Sequence, residues 1–152
     1  MASQFRIFLS HAGGDRFEAS LLQYAVEHIL SHLRASVGAY QRDQNRSEAD
    51  VAGAPMERIR DSYAMIFLAT PTTIAASTTQ WMELAYAHAF GVPRHVLLHR
   101  LRYQDLIAGE RAAPPLLRAA QCSDAAREWR DVIDSMGRQY QERVGAGDRG
   151  DG

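Results

Sequence analysis

The stretch Gln80–Pro93, QWMELAYAHAFGVP, is the anchor of the predicted fold. Its small and apolar residues recur at helical spacing, which predicts a largely buried helix. Gly91 followed by Pro93 marks the end of this helix. One carboxylate, Glu83, lies in its first turn. This acid is either a functional group or a first-turn residue that the positive end of the helix dipole stabilises.

A buried strand is predicted directly upstream of this helix. Tyr63–Thr70, YAMIFLAT, is a short apolar run that favours a strand, and residues 71–80 are predicted to form the loop that follows it. Glu83 therefore comes shortly after the carboxyl end of a strand. In open α/β sheets, ligands bind at that edge.

Strand and helix patterns alternate along the rest of the chain. The other predicted strands are Phe5–Leu9, Ser36–Tyr40 and Arg94–His99. The other predicted helices are Phe17–Leu33, Met56–Ser62, a short one from Leu116, and a final amphipathic one capped by Ser123 and Asp124. Residues 41–55 are polar and predict a long exposed loop. The alternation predicts an α/β, flavodoxin-like three-layer fold with a four- or five-stranded parallel sheet.

The composition is typical of one soluble globular domain. The chain has 152 residues, of which 46% are hydrophobic and 23% are charged. We expect the domain to cover residues 1–144, and the glycine-rich residues 145–152 to form a disordered tail or linker. The chain contains no lysine, which excludes Schiff-base chemistry, a Walker-type phosphate loop and a phospho-acceptor receiver domain.

Charge, cysteine and histidine patterns bear on partners and compartment. The formal net charge is -1 and both signs are intermingled, so no contact with nucleic acid or membrane is expected. Cys122 is the single cysteine, which favours a reducing, cytoplasmic setting. The N-terminal apolar run is too short for a signal peptide or a membrane span. His28 and His32 have zinc-ligand spacing but no obvious third ligand, so no metal site is expected.

A glycine-containing turn follows the first strand. Residues 10–15, SHAGGD, join this strand to a helix that Asp15 is predicted to cap. Backbone N–H groups at such a turn can hold an anionic or polar ligand group, although glycines in this position also serve only to make the turn. In a flavodoxin-like sheet the turn lies near Ser77 and Glu83, because the strands that precede them share a carboxyl edge.

Two separated stretches resemble Toll/interleukin-1 receptor (TIR) domains. Phe5–Asp15, FRIFLSHAGGD, is similar to the first strand and turn of that family, in which an apolar strand ends in Phe-Ile-Ser-His and an Asp follows. Ser77–Pro93 resembles the third-helix signature, a Ser six positions before a Glu that is followed by an Ala and a Gly. These positions are Ser77, Glu83, Ala87 and Gly91. The similarity covers about residues 5–140.

The resemblance to prokaryotic, NAD-cleaving TIR domains implies an activity. It implies cleavage of the nicotinamide–ribose bond of NAD+ with Glu83 as the catalytic residue, giving nicotinamide and ADP-ribose or a cyclised or conjugated product. It also implies substrate-binding positions at Ser10, His11, Gly13, Thr70, Ser77 and Trp81. NAD+ is then a substrate, and no cofactor is expected. A carboxylate beside the ribose can stabilise or trap oxocarbenium character, as in glycosidases.

The same resemblance implies partners. It implies self-association through TIR–TIR contacts, a sensor or effector protein or domain, and signal transduction in bacterial antiphage defence. One departure concerns the aromatic side chain. Many family members have a Trp four residues before the Glu, where this chain has Thr79, and Trp81 lies two residues before the acid. Which aromatic side chain stacks on the substrate therefore stays open.

Two alternatives to NAD+ cleavage stay open. The first is a non-catalytic TIR module that only scaffolds a complex, for which an acid at position 83 has no use. The second arises because residues 83–93, ELAYAHAFGVP, are also similar to the Glu-containing motif of nucleoside 2-deoxyribosyltransferases. In that family the Glu is the nucleophile, so both enzymatic interpretations depend on Glu83 and differ in substrate.

Overall fold

The computed structural model describes residues 4–38, 56–76, 78–107 and 120–150. Its centre is a five-stranded, all-parallel sheet with the order β2-β1-β3-β4-β5. The strands are β1 (Arg6–Ser10), β2 (Ser36–Gly38), β3 (Ala64–Ala69), β4 (Arg94–Leu98) and β5 (Gln121–Asp124). This is the strand order of flavodoxin-like folds, so the predicted fold class is confirmed.

Helices cover both faces of the sheet. They are α1 (Arg16–Ile29), α2 (residues 56–60), α3 (Pro71–Ala76), α4 (Thr78–Ala89), α5 (Tyr103–Ile107) and α6 (Ala125–Gly150). Short 3-10 helices at Gly13–Asp15 and Ser31–Leu33 flank α1. The cluster on one face combines residues of α1 and α6 with strand residues, and the cluster on the other face contains residues of α2, α4 and α5. The chain therefore forms the three layers that the alternation predicts.

The two central strands divide their side chains between these faces. In β1, Ile7 and Leu9 join the cluster under α1 and α6, whereas Phe8 joins the cluster under α4. This follows from the two-residue period of a strand. In β3 every position is buried, which explains why its sequence is a continuous apolar run rather than an alternating one.

The prediction of a loop at residues 71–80 is wrong. This segment instead contains α3 and the beginning of α4. The Thr73 N–H donates to Thr70 Oγ1 at 3.4 Å, and the Thr70 N–H donates to Thr73 Oγ1 at 3.1 Å. This reciprocal arrangement is a capping box, with Thr in place of the usual Glu or Gln. Pro71 stands at the first helical position, where its missing N–H has no cost.

The sequence does not predict β5. This strand has the four polar or small residues Gln121–Asp124 and forms an edge of the sheet beside β4. The predicted cap at Asp124 is confirmed, since Asp124 Oδ1 accepts from the backbone N–H groups of Ala126 at 2.9 Å and Arg127 at 3.4 Å. Asp124 is both the last residue of β5 and the cap of α6, and the sequence pattern indicates the cap alone.

Several boundaries also differ from the prediction. The first helix ends at Ile29 rather than at Leu33, and α6 reaches Gly150, so that it includes residues 145–150 of the predicted tail. The predicted loop at 41–55, the predicted helix from Leu116 and the site residue Ser77 lie outside the described residues. None of the described helices has the length and apolar character that a membrane crossing requires.

Candidate active site

The candidate site lies where β1 and β3 end, at the carboxyl edge of the sheet. Ser10 is the last residue of β1 and stands beside Phe67 of β3 in the strand register. The chain leaves β1 through His11 and Ala12 and enters the 3-10 helix that precedes α1. It leaves β3 through Thr70 and enters α3. The connections that follow two neighbouring strands of the sheet therefore meet at this edge, as the sequence predicts.

Ser10 and Glu83 form a buried hydrogen-bonded pair. Ser10 Oγ donates to Glu83 Oε1 at 2.9 Å, across 73 residues of sequence. Glu83 is 3% exposed and Ser10 is 0% exposed. Strand alternation turns Ser10 to the same side as Phe8, which is the side covered by α4. The predicted proximity of the serine turn and the α4 acid is confirmed.

Burial alters the acidity of Glu83. It raises the pKa of this carboxyl from 4.5 to about 7, and the hydrogen bond from Ser10 opposes the rise in part. The carboxyl therefore changes its protonation state near neutral pH. A group with such a pKa at a sheet edge is a functional-site candidate, because both burial and a specific partner act on it.

A second hydroxyl–carboxylate pair lies at the same edge of the sheet. Thr70 Oγ1 donates to Asp15 Oδ2 at 2.5 Å, and Asp15 is 9% exposed. Thr70 is part of the capping box of α3, so this carboxylate is tied to a local network. Asp15 was expected to cap α1, but its side chain makes no capping hydrogen bond and accepts from Thr70 instead. The sequence gives no signal for this pairing, because the partners are 55 residues apart.

Gln80 is a third buried polar residue near this edge, and the sequence does not single it out. Gln80 is 0% exposed and precedes Glu83 by three positions on α4. Its Nε2 donates to the backbone carbonyl of Leu68 in β3 at 3.0 Å. That carbonyl also accepts from Thr73 Oγ1 at 3.3 Å, so it holds both α3 and α4. Among the described residues, Gln80 Oε1 has no hydrogen-bond partner.

The other predicted site residues have mixed surroundings. His11 is half-buried, and its Nδ1 lies 2.8 Å from the Ala12 carbonyl oxygen. Gly13 opens the 3-10 helix, and a Cβ there would meet nothing within 4 Å, so packing does not demand a glycine. Trp81 packs in the core on Phe67, with ring centroids 5.8 Å apart. The structure thus brings Ser10 and Glu83 together and gives Trp81 a packing contact, and their substrate contacts stay predictions.

Among the described residues there is no cluster of metal ligands, and a cavity lies away from the Ser10–Glu83 pair. These residues contain no cluster of three or more His, Cys, Asp or Glu side chains that could hold a metal ion. A cavity of about 310 Å³ lies beside β2 and α2. Its lining includes Arg6, Gly38 and Arg58 but neither Ser10 nor Glu83. We place the candidate site at the Ser10–Glu83 pair because this carboxyl is buried, hydrogen-bonded and has a raised pKa.

Comparison with known proteins shows the fold. No family model matches the chain, and no curated protein matches it in sequence. Among solved structures, a conserved protein from Enterococcus faecalis V583 superposes with a TM-score of 0.65 at 13% identity, covering 90% of this chain and 99% of the other. A 2-deoxyribosyltransferase from Leishmania mexicana gives 0.57 at 15% identity, covering 78% and 88%. The TIR domains of the activated Roq1 resistosome, which recognises the pathogen effector XopQ, give 0.56 at 14% identity, covering 92% and 99%.

These likenesses concern architecture. At 13–15% identity, they show that the chain shares a fold with a TIR domain and with a deoxyribosyltransferase. One fold carries many activities, so function has to be argued from the site. Both families that the sequence resembles are represented among these neighbours, and the fold is compatible with both.

Proposed function

We propose that this protein cleaves the N-glycosidic bond between nicotinamide and ribose in NAD+, with Glu83 as the catalytic carboxylate. The observation that carries the proposal is the buried Glu83 carboxyl, held by Ser10 at the carboxyl edge of the sheet. The resemblance of residues 5–15 and 77–93 to NAD-cleaving TIR domains selects the substrate.

The proposed reaction balances as a displacement at the ribose C1′. The bond from C1′ to the nicotinamide nitrogen breaks, and its electron pair leaves with neutral nicotinamide. The ionised Glu83 carboxylate stabilises the oxocarbenium character on the ribose or bonds to C1′. Water then attacks C1′, giving ADP-ribose and one proton; an internal nucleophile would give a cyclised product instead. Ser10 keeps one carboxylate oxygen fixed during these steps.

The positive charge of the nicotinamide ring suits this site. Glu83 must be ionised to act, but burial favours its neutral form at pH values below about 7. A bound cation next to the carboxylate favours the charged form and so lowers the pKa of Glu83 in the complex. Substrate binding and activation of the acid are thereby linked.

The cost of burying Glu83 argues for an enzyme over a pure scaffold. A carboxyl whose pKa is raised from 4.5 to about 7 destabilises the folded state by about 3 kcal/mol once it is ionised. A glutamine or an apolar residue would avoid that cost. Proteins accept destabilised groups of this kind where activity needs them.

The wider role follows from the same resemblance. We propose that the protein self-associates, acts with a sensor or effector partner, and signals in antiphage defence in the cytoplasm. Three exposed apolar side chains at helical spacing on α1, Phe17, Leu21 and Tyr24, support a contact with another protein.

Incubation of the purified protein with NAD+ tests the proposal. The assay follows nicotinamide release at low and at high protein concentration, because assembly would raise the rate. Release by the wild type that Glu83→Gln abolishes is the expected result, with Glu142→Gln, an exposed acid on α6, as the matched control. Base exchange on 2′-deoxynucleosides with NAD+ untouched would instead indicate a deoxyribosyltransferase. Activity that survives Glu83→Gln would remove the assignment.

A further inference from the structure

The Gln80 amide and the Glu83 carboxyl lie on the buried side of α4, where one can accept a hydrogen bond that the other donates. They are three residues apart, and both are buried. Residues three apart on a helix have Cβ atoms about 5–6 Å from each other, so the two side chains are neighbours. Both lie at the end of the helix that faces the carboxyl edge, beside the ends of β1 and β3.

The orientation of the Gln80 amide is fixed by its one partner. Nε2 donates to the Leu68 carbonyl oxygen, and the opposite orientation would bring two acceptor oxygens together there. Oε1 is therefore the atom left without a partner among the described residues. A buried acceptor without a donor destabilises the folded state, so a donor is expected in at least one state of the protein.

Glu83 supplies such a donor in its neutral form. Ser10 donates to Glu83 Oε1, so this oxygen acts as an acceptor and the acid proton resides on Oε2. A protonated Oε2 is a hydrogen-bond donor one helical turn from the unpaired Gln80 oxygen. We propose that Gln80 Oε1 accepts the proton of neutral Glu83 and is thereby a positioning residue that holds this acid in its uncharged state.

The consequence for the site rests on the proposed function. In the ligand-free protein, the Ser10–Glu83–Gln80 chain of hydrogen bonds is satisfied only while Glu83 carries its proton. The proton leaves to solvent when Glu83 ionises, and the Gln80 oxygen then faces a carboxylate that offers it no hydrogen. Gln80 thus adds to the preference for the neutral acid that substrate binding has to reverse.

Charged groups near Glu83 do not explain that preference. The strands packed against α4 carry titratable side chains only at their starts, on the opposite edge of the sheet: Arg6, Arg94 and His95. At the carboxyl edge, the segment between β1 and α1 brings His11 and Asp15, and the segment between β4 and α5 brings His99, Arg100 and Arg102. The pKa of Glu83 is raised by burial and lowered by the Ser10 hydrogen bond.

Carboxyl NMR of the intact protein tests the proposal without any substrate. The ¹³C resonance of the Glu83 carboxyl is titrated in the wild type and in Gln80→Met. Loss of an acceptor for the neutral acid is expected to move the midpoint down by about one pH unit. The control is Gln23→Met, since Gln23 likewise donates its amide to a strand carbonyl, that of Val37, but lies on α1. An unchanged midpoint in Gln80→Met would overturn the proposal.

A second measurement needs no change at position 80. The side-chain amide ¹⁵N signal of Gln80 is followed with pH in the wild type and in Glu83→Gln. It is expected to titrate with the Glu83 midpoint in the wild type and to stay constant in the variant, whereas the Gln23 amide shows no such step. A Gln80 signal that ignores the Glu83 titration would mean that Gln80 only anchors α4 to Leu68. Neither readout involves NAD+, so failure of the proposed reaction would leave this result standing.

Discussion

Two hydroxyl–carboxylate pairs lie at the same edge of the sheet, where β1 and β3 end. In the first pair, Ser10 donates to Glu83, which is buried and has no second hydrogen-bond partner in the part of the chain that the structure describes. In the second pair, Thr70 donates to Asp15 and also takes part in the capping box of α3. The same pair of groups thus holds a carboxyl with a raised pKa in one place and serves as a structural latch in the other. The difference lies in the surrounding network rather than in the residue types.

The largest expected difference between the pairs is in activity. Glu83→Gln is expected to lower NAD+ cleavage by about a thousandfold or more, because the carboxylate that stabilises the ribose cation is gone. Asp15→Asn, which changes the other acid in the same way, is expected to cost less than about tenfold. Nicotinamide release and far-ultraviolet circular dichroism of both variants measure this. Equal losses in two folded variants would make Asp15 part of the catalytic machinery.

The second largest difference is in stability: removing the acid of the first pair should stabilise the protein at high pH, whereas removing the donor of the second pair should destabilise it. The pKa of Glu83 is 4.5 in the unfolded chain and about 7 in the folded protein, so the folded state holds this proton to higher pH. Its contribution to stability is fully present below pH 4.5 and is lost as the pH rises through about 7. Glu83→Gln is therefore expected to be about 3 kcal/mol more stable than the wild type at pH 8 and nearly equal to it at pH 4.5. Urea unfolding at both pH values tests this; a pH-independent difference would contradict it.

Loss of the donor in the Thr70–Asp15 pair, the structural latch, is expected to destabilise the protein. Thr70→Val keeps the shape of the side chain but leaves the Asp15 carboxylate without its donor and removes one side of the capping box. A loss of about 1–3 kcal/mol in the free energy of unfolding is expected. The control is Thr72→Val, an exposed position in the same helix. If Thr70→Val were neutral, the second pair would not be a latch.

The smallest effect concerns Ser10. Its hydroxyl favours the ionised form of Glu83, so Ser10→Ala should raise the pKa of Glu83 further above its usual range. The activity at pH 7 is then expected to fall about fivefold and to recover as the pH is raised. The pH profile of kcat/KM measures this, with the acid limb displaced to higher pH. A loss that persists at high pH would mean that Ser10 contacts the substrate itself.

The Ser10–Glu83 pair could be predicted from the sequence, whereas the Asp15–Thr70 pair could not. The apolar runs of β1, β3 and β4 and the periodicity of α4 are strong local signals, and a parallel sheet then brings Ser10 and Glu83 to one edge. The Asp15–Thr70 pair depends on how α1 and β3 are set relative to each other, which no local pattern records. The strand β5 has four residues and little apolar content, so periodicity cannot detect it. Helix α3 is hidden because its capping box uses Thr73 where Glu or Gln is usual.

Each of the two pairs joins a residue of the β1–α1 unit to a residue of the stretch from β3 to α4. The unit that begins with β1 supplies Ser10 and Asp15, and the stretch from β3 to α4 supplies Thr70 and Glu83. Each acid receives its hydrogen bond from the other half of the chain, so neither half can form the candidate site alone. Two fragments of this protein, expressed separately, would form neither pair until they recombine, so a cut between these units suits the design of a split reporter.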